Sequence, residues 1–192
     1  MKAKIAIAAL VLAVVAQASW KTDTQIPNKP ASGKLYGKPF TARVATLKNM
    51  GFNHAKQNGK VQDRAQAYIL DLSSDAEFFP AQEFSIWFST NPGEKLSGKT
   101  LVMKPYAFGT DEFRQQAYGN RTGTLVPRGI TAIFTTTDKP SHSDSFSDKM
   151  SVRLTFGKQT GTTISGKVSL SLPDKLKSYL SGTFKATIKA QP

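Results

Sequence analysis

Two histidines, no cysteine and a few clustered carboxylates bound the chemistry open to this chain. His54 and His142 are far apart, each in a polar stretch. A zinc site takes three or four ligands, and no His-x-x-x-His pair occurs. Without cysteine, thiol nucleophiles, thiolate metal sites and iron–sulfur ligation are excluded. Gly-x-Ser-x-Gly is absent, and no Gly-rich loop leads into a helical pattern where backbone amides could cradle a phosphate. The residues therefore predict neither a metal nor a cofactor.

Carboxylates are the remaining catalytic material. Asp71, Asp75, Glu77 and Glu83 cluster in sequence, and paired carboxylates carry out glycoside hydrolysis. A carboxylate-dependent hydrolase of glycans is thus one reading. Against it, Asp71 alternates with Leu70 and Leu72 and so faces away from the core, while the other three fall in a turn. A solvated acidic edge explains them more simply. Asp138, Asp144 and Asp148, with Ser141, Ser143 and Ser145, offer oxygen donors of the kind calcium takes. Their spacing matches no EF-hand, and a solvated loop is again the simpler expectation.

Binding chemistry is better supplied. In Glu83 to Ser89, Phe84, Ile86 and Phe88 point one way, and Trp87 points the other way between Ser85 and Ser89. On an open face its indole is a platform for a sugar ring. Under a covering loop it is core, the more economical expectation. Lys167, Lys185 and Lys189 share an outward face if their two strands pair, and Lys175 and Lys177 lie in the connection between them. Tyr106 and Tyr118 stand in a long polar stretch, Pro105 to Gly123, of the kind that carries binding residues on a rigid sheet. The candidate ligand contacts are Lys167, Lys185, Lys189, Trp87, Tyr106 and Tyr118.

Charge points the same way. The chain carries a formal +13. From Lys21 to Lys60 eight bases face one acid, from Val61 to Glu94 six acids face one base, and the remainder is basic again. Such a balance draws a protein to polyanions: an anionic polysaccharide or envelope surface foremost, nucleic acid with less support. Solubility alone is the competing account.

The first residues read as a secretory leader. Lys2 and Lys4 precede the apolar run Ile5 to Val15, and Ala16-Gln17-Ala18 is a small-x-small cleavage site. The run is short for a membrane span, and no later stretch is long and apolar enough to be one. The expected product is exported to the periplasm or beyond, in a bacterium. Residues 1–18 form the leader, 19–32 a flexible basic arm, and 33–192 one domain, large enough to stand on packing without disulfides.

The elements that must position these residues are strands. The clearest is ISGKVSLSLPDKLKSYLSGTFKATI, Ile164 to Ile188. Val168, Leu170 and Leu172 alternate with Lys167, Ser169 and Ser171; Phe184, Ala186 and Ile188 alternate with Thr183, Lys185 and Thr187. Period two predicts half-buried strands. Pro173 stops the first, and Leu176, Tyr179 and Leu180 at i, i+3, i+4 predict a short helical plug capped by Asp174. Tyr68, Leu70 and Leu72, the Phe84 set, Lys99 to Lys104, Thr124 to Thr135, and Met150 to Phe156 predict further strands. Lys48 to Lys60 reads as a polar connection with an Asn58-Gly59 turn, and Thr136 to Asp148 as a loop. The sum is an all-β domain, a single antiparallel sandwich or barrel of roughly eight strands. It is expected to bind without catalysis. Pairing with another chain through sheet edges, in a structural or assembly role, is the third reading.

Overall fold

Alternating apolar and polar residues build nearly the whole molecule from strands. The computed structural model describes residues 25–57, 60–107, 109–118, 128–138 and 141–189, with backbone alone at 54–57, 60–64 and 117–118. Among these residues there are eleven strands and one short helix. In chain order they are β1 Ser32–Leu35, β2 Lys38–Thr41, β3 Val44–Gln57, β4 Lys60–Ser73, β5 Gln82–Thr90 and β6 Thr100–Met103. Then follow α1 Asp111–Tyr118, β7 Gly129–Asp138, β8 Ser141–Phe146, β9 Ser151–Thr160, β10 Thr163–Ser171 and β11 Tyr179–Lys189.

All strands belong to one sheet, ordered β6-β9-β10-β11-β3-β4-β5-β7-β8, with β1 branching from β11 to pair with β2. The expected all-β class and sandwich-like architecture hold, since the sheet does not close into a barrel. It is mixed rather than purely antiparallel, because β11 runs parallel to β3. Its two limbs fold over one another. Leu70, Leu72, Phe84, Ile86 and Phe88 on one limb and Val152, Leu154, Phe156, Val168 and Leu170 on the other are buried in one core. The Phe88 and Phe156 rings meet across it, 5.5 Å apart. Each such side chain contributes about 1.5–3 kcal/mol on burial, which is how the fold stands without cysteine.

The closing motif pairs as its alternation predicts, Leu170 with Leu180 and Lys167 with Thr183. Its plug does not. Residues 173–178 form a turn, not a helix. The Asp174 carboxylate accepts from the amides of Leu176 (3.1 Å) and Ser178 (2.7 Å) and from the Ser178 hydroxyl (3.1 Å). Asp174 does cap, but it caps a single turn, after which Tyr179 already belongs to β11. Leu176 and Tyr179 are 58% and 44% exposed, so only Leu180 of the predicted trio is core.

Three more expectations are corrected. Lys48 to Lys60 is not a connection: β3 and β4 continue through it to a register closed at Gln57↔Lys60. The Asn58-Gly59 turn expected there lies outside the described residues. Thr136 to Asp148 is not a loop, since β8 pairs with β7. Pro105 to Gly123 contains α1, begun by Thr110, whose hydroxyl accepts from the Phe113 amide at 3.2 Å. Asp111 and Glu112 sit at its positive end, and Phe113 anchors it in the core.

The described part of the arm is also held, not flexible. Ile26 and Ala31 are buried. The Lys29 carbonyl accepts from the Thr183 amide at 2.8 Å, and the Ala31 amide donates to the Thr183 carbonyl at 2.9 Å. Gly182 makes this possible: its φ is +150°, and a Cβ there would lie 2.6 Å from the Ala31 Cα and from the Lys29 carbonyl oxygen. From this strap the chain enters the β1–β2 hairpin, turned by Tyr36 (φ 49°) and Gly37 (φ 79°). Two positive φ angles are what a two-residue hairpin loop demands.

Candidate anion-binding groove

The groove arises from the mixed sheet. β11 pairs with β3 only over Thr187–Lys189, Thr46–Lys48 opposite; toward its start it pairs with β1 instead. Between the diverging strands run the strap at Asn28 and Pro30 and the β2–β3 link at Ala42 to Ala45. They wall a groove of about 700 Å³ over the outer faces of β9, β10 and β11. Its floor is small and hydroxylated: Thr155, Gly157, Ser165 and Thr183. A Cβ on Gly157 would come within 2.8 Å of the Ser165 hydroxyl, so glycine keeps the floor low.

Three cations stand over that floor: Arg43 from the link, Lys167 from β10 and Lys185 from β11. Lys167 pairs with Thr183 and Ser165 with Lys185, so the two lysines are diagonal neighbours on one face, with Cβ atoms roughly 7 Å apart. The Arg43 amide is fixed by the Ser73 carbonyl at 2.9 Å, which ties the link to the end of β4. Among the described lining residues there is no Asp or Glu. A concave site with walls of low dielectric and one sign of charge focuses its field on an incoming anion.

Of the six residues singled out in the sequence, the fold brings Lys167 and Lys185 together at this groove. Lys189 is exposed on the same strand but four residues on, about 13 Å along β11. It stands opposite Lys48 of β3, outside the groove lining. Tyr106 is partly buried against the core, its carbonyl accepting from the Lys149 amide at 2.9 Å. Tyr118 ends α1, and its side chain lies outside the described residues. Arg43 was not singled out: it is one base among eight in a basic stretch, and only the divergence of β11 from β3 carries it to the lysines.

Trp87 is elsewhere, on the outer face of the β4–β5–β7 limb. Among the described residues no loop covers it, contrary to the simpler expectation. It is 40% exposed and packs on Phe134, ring centroids 5.1 Å apart, which is 36% exposed. On the same face Asp71 and Glu83 meet at one hydroxyl: Ser85 Oγ is 2.6 Å from Asp71 Oδ1 and 3.1 Å from Glu83 Oε1. Lys48 closes the chain on Asp71 at 2.7 Å, and that bond raises the Lys48 pKa. Asp71 is 5% exposed. Asp71 and Glu83 are therefore partnered within the sheet, while Asp75 and Glu77 are in the β4–β5 loop.

A second polar constellation joins the two limbs. The Tyr36 hydroxyl donates to Asp144 at 3.0 Å and bonds the Thr135 hydroxyl. Asp144 also contacts His142 Nε2 at 2.9 Å, and the His142 ring meets Tyr36 edge-on at 4.5 Å. Asp144, offered above as a calcium ligand, is thus held by protein groups. Among the described residues no group of three or more His, Asp or Glu converges as metal ligands would.

Comparison of the chain with models of protein families, with curated proteins and with solved structures finds no match.

Proposed function

We propose that the protein is an exported, non-catalytic binding domain of the cell envelope, and that its basic groove holds an anionic polymer such as an acidic polysaccharide. The convergence of Arg43, Lys167 and Lys185 on one groove carries this reading. A polymer of repeating negative charge suits the site, because cations on neighbouring strands are held in register and lose little freedom on binding. The hydroxyl of Ser165 adds a neutral donor at the floor.

The test compares two triple variants of equal net charge on immobilised heparin. Arg43→Glu, Lys167→Glu, Lys185→Glu empties the groove of positive charge. Lys34→Glu, Lys95→Glu, Lys104→Glu makes the same change at exposed positions outside it. The groove variant should lose about tenfold or more in affinity, a loss of about 1.4 kcal/mol, and the control far less. Binding of the parent should weaken steeply as salt rises, as polyanion binding does. Equal losses in the two variants would reduce the charge to a solubility device, and no binding at low salt would remove the polyanion altogether.

A further inference from the structure

At one end of the sandwich two turns carry apolar side chains out into water. The first is the β4–β5 loop. Phe78 and Phe79 at its tip are 89% and 84% exposed, their rings edge-to-face at 4.7 Å. The loop beneath them is built, not loose. Asp75 accepts from the Ala81 amide (3.0 Å), the Glu77 amide (3.2 Å) and the Ser74 hydroxyl (2.7 Å). The Ser74 hydroxyl accepts from the Gln82 amide at 3.0 Å, and the Asp138 amide donates to the Ala81 carbonyl at 3.1 Å.

The second turn joins β10 to β11. Asp174 holds it, and Leu176 is 58% exposed between the exposed Lys175 and Lys177. Both turns lie at the same end. The Leu176 side chain lies beside the β1–β2 hairpin, where a Cβ on Gly37 would stand 3.9 Å from its Cδ1, and the preceding residue, Tyr36, reaches Asp144 on β8 and Thr135 on β7, which pairs with Phe84 just after the β4–β5 loop.

We propose that this end docks on a lipid bilayer, with Phe78, Phe79 and Leu176 entering the interface and Lys175 and Lys177 meeting anionic headgroups. Two neighbouring phenylalanines with most of their surface in water are a standing penalty that burial would reverse. Their tip is convex, so it encloses no small molecule. A partner that yields around it can bury both rings, and the interfacial region of a bilayer does so. The lysines flanking Leu176 supply charge complementarity to acidic lipids, in a molecule of net charge +13. Glu77 is beside the phenylalanines, so the lysine turn is the one that distinguishes anionic from zwitterionic lipid. This docking does not depend on the groove, whose cations are on the outer face of β9–β11.

Co-sedimentation of the full chain with large unilamellar vesicles tests it, using phosphatidylcholine alone and phosphatidylcholine with phosphatidylglycerol. Phe78→Ser, Phe79→Ser should weaken binding to both by about tenfold or more, with the melting temperature and heparin binding unchanged. Lys175→Glu, Lys177→Glu should weaken binding only to the anionic vesicles. The groove triple variant, which carries a larger loss of charge, should keep its dependence on the phenylalanines. Failure of the parent to sediment with either vesicle overturns the proposal, as does a phenylalanine variant that binds like the parent. Self-association that needs the two phenylalanines, without vesicle binding, would assign the tip to a second copy of the chain instead.

Discussion

The phenol of Tyr36 is held between two limbs, donating to Asp144 and accepting from Thr135. Burial first, and then the Asp144 charge, push its pKa from 10.0 up to about 12. An ionised phenol would lose its donor and face a carboxylate. Between these two values the unfolded chain has released the proton and the folded one has not. Unfolding is therefore favoured as pH rises: the stabilisation is complete below pH 10 and is lost toward pH 12. Tyr36→Phe should cost about 1–3 kcal/mol at neutral pH, because Asp144 and Thr135 lose a partner, and its alkaline loss of stability should be shallower. Denaturant unfolding from neutral pH to about 12 checks both. Burial also raises the pKa of Tyr68, so some alkaline loss should persist in the variant. A variant with the same pH slope as the parent would show that the clasp does not couple to ionisation.

At the level of elements, the face assignment in the closing motif makes a sharp contrast. Leu170 and Phe184 are buried and Ser169 lies on the outer side. Leu170→Ala and Phe184→Ala should each destabilise by about 2–5 kcal/mol, while Ser169→Ala should leave the unfolding midpoint nearly unchanged. Equal effects at Leu170 and Ser169 would reverse the assignment. This motif was legible because each strand buries one face against the core and must alternate. Ser141–Phe146 was not. It is an end strand held by backbone pairing and the Tyr36 clasp, so its sequence, SHSDSF, shows no apolar period. Asp111–Tyr118 hid for a similar reason, Phe113 being the single deep anchor among its described side chains. Asp174 to Leu180 misled in the opposite direction, since helical spacing is also produced by one Asp-held turn followed by a strand. The lysine pair of the groove was readable from strand parity, whereas Arg43 was not, because no local pattern says where two strands part.

For the whole molecule, charge and surface are distributed by direction. Lys167 and Lys185 stand over the β10–β11 face, Asp71 and Glu83 on the β4–β5 face, and Phe78, Phe79 and Leu176 on turns at one end. The proposed export includes removal of the proposed leader, residues 1–18. Intact mass of the exported product should therefore begin at Ser19. A product that keeps Lys2 would contradict the proposed export.

The parallel seam has a consequence for the order in which the molecule assembles. β3, β4 and β5, and again β7 and β8, follow one another in sequence and zip by short closures as the chain lengthens. The first hairpin is different: Tyr36 bonds Ser178, 142 residues later, and β1 finds its place only on β11. Closing so long a loop is slow and comes late. A chain threaded N-terminus first through a translocation pore would thus emerge with its opening strands still unmatched. Under the proposed export it would lock only once the last strand was through, on the far side of the membrane.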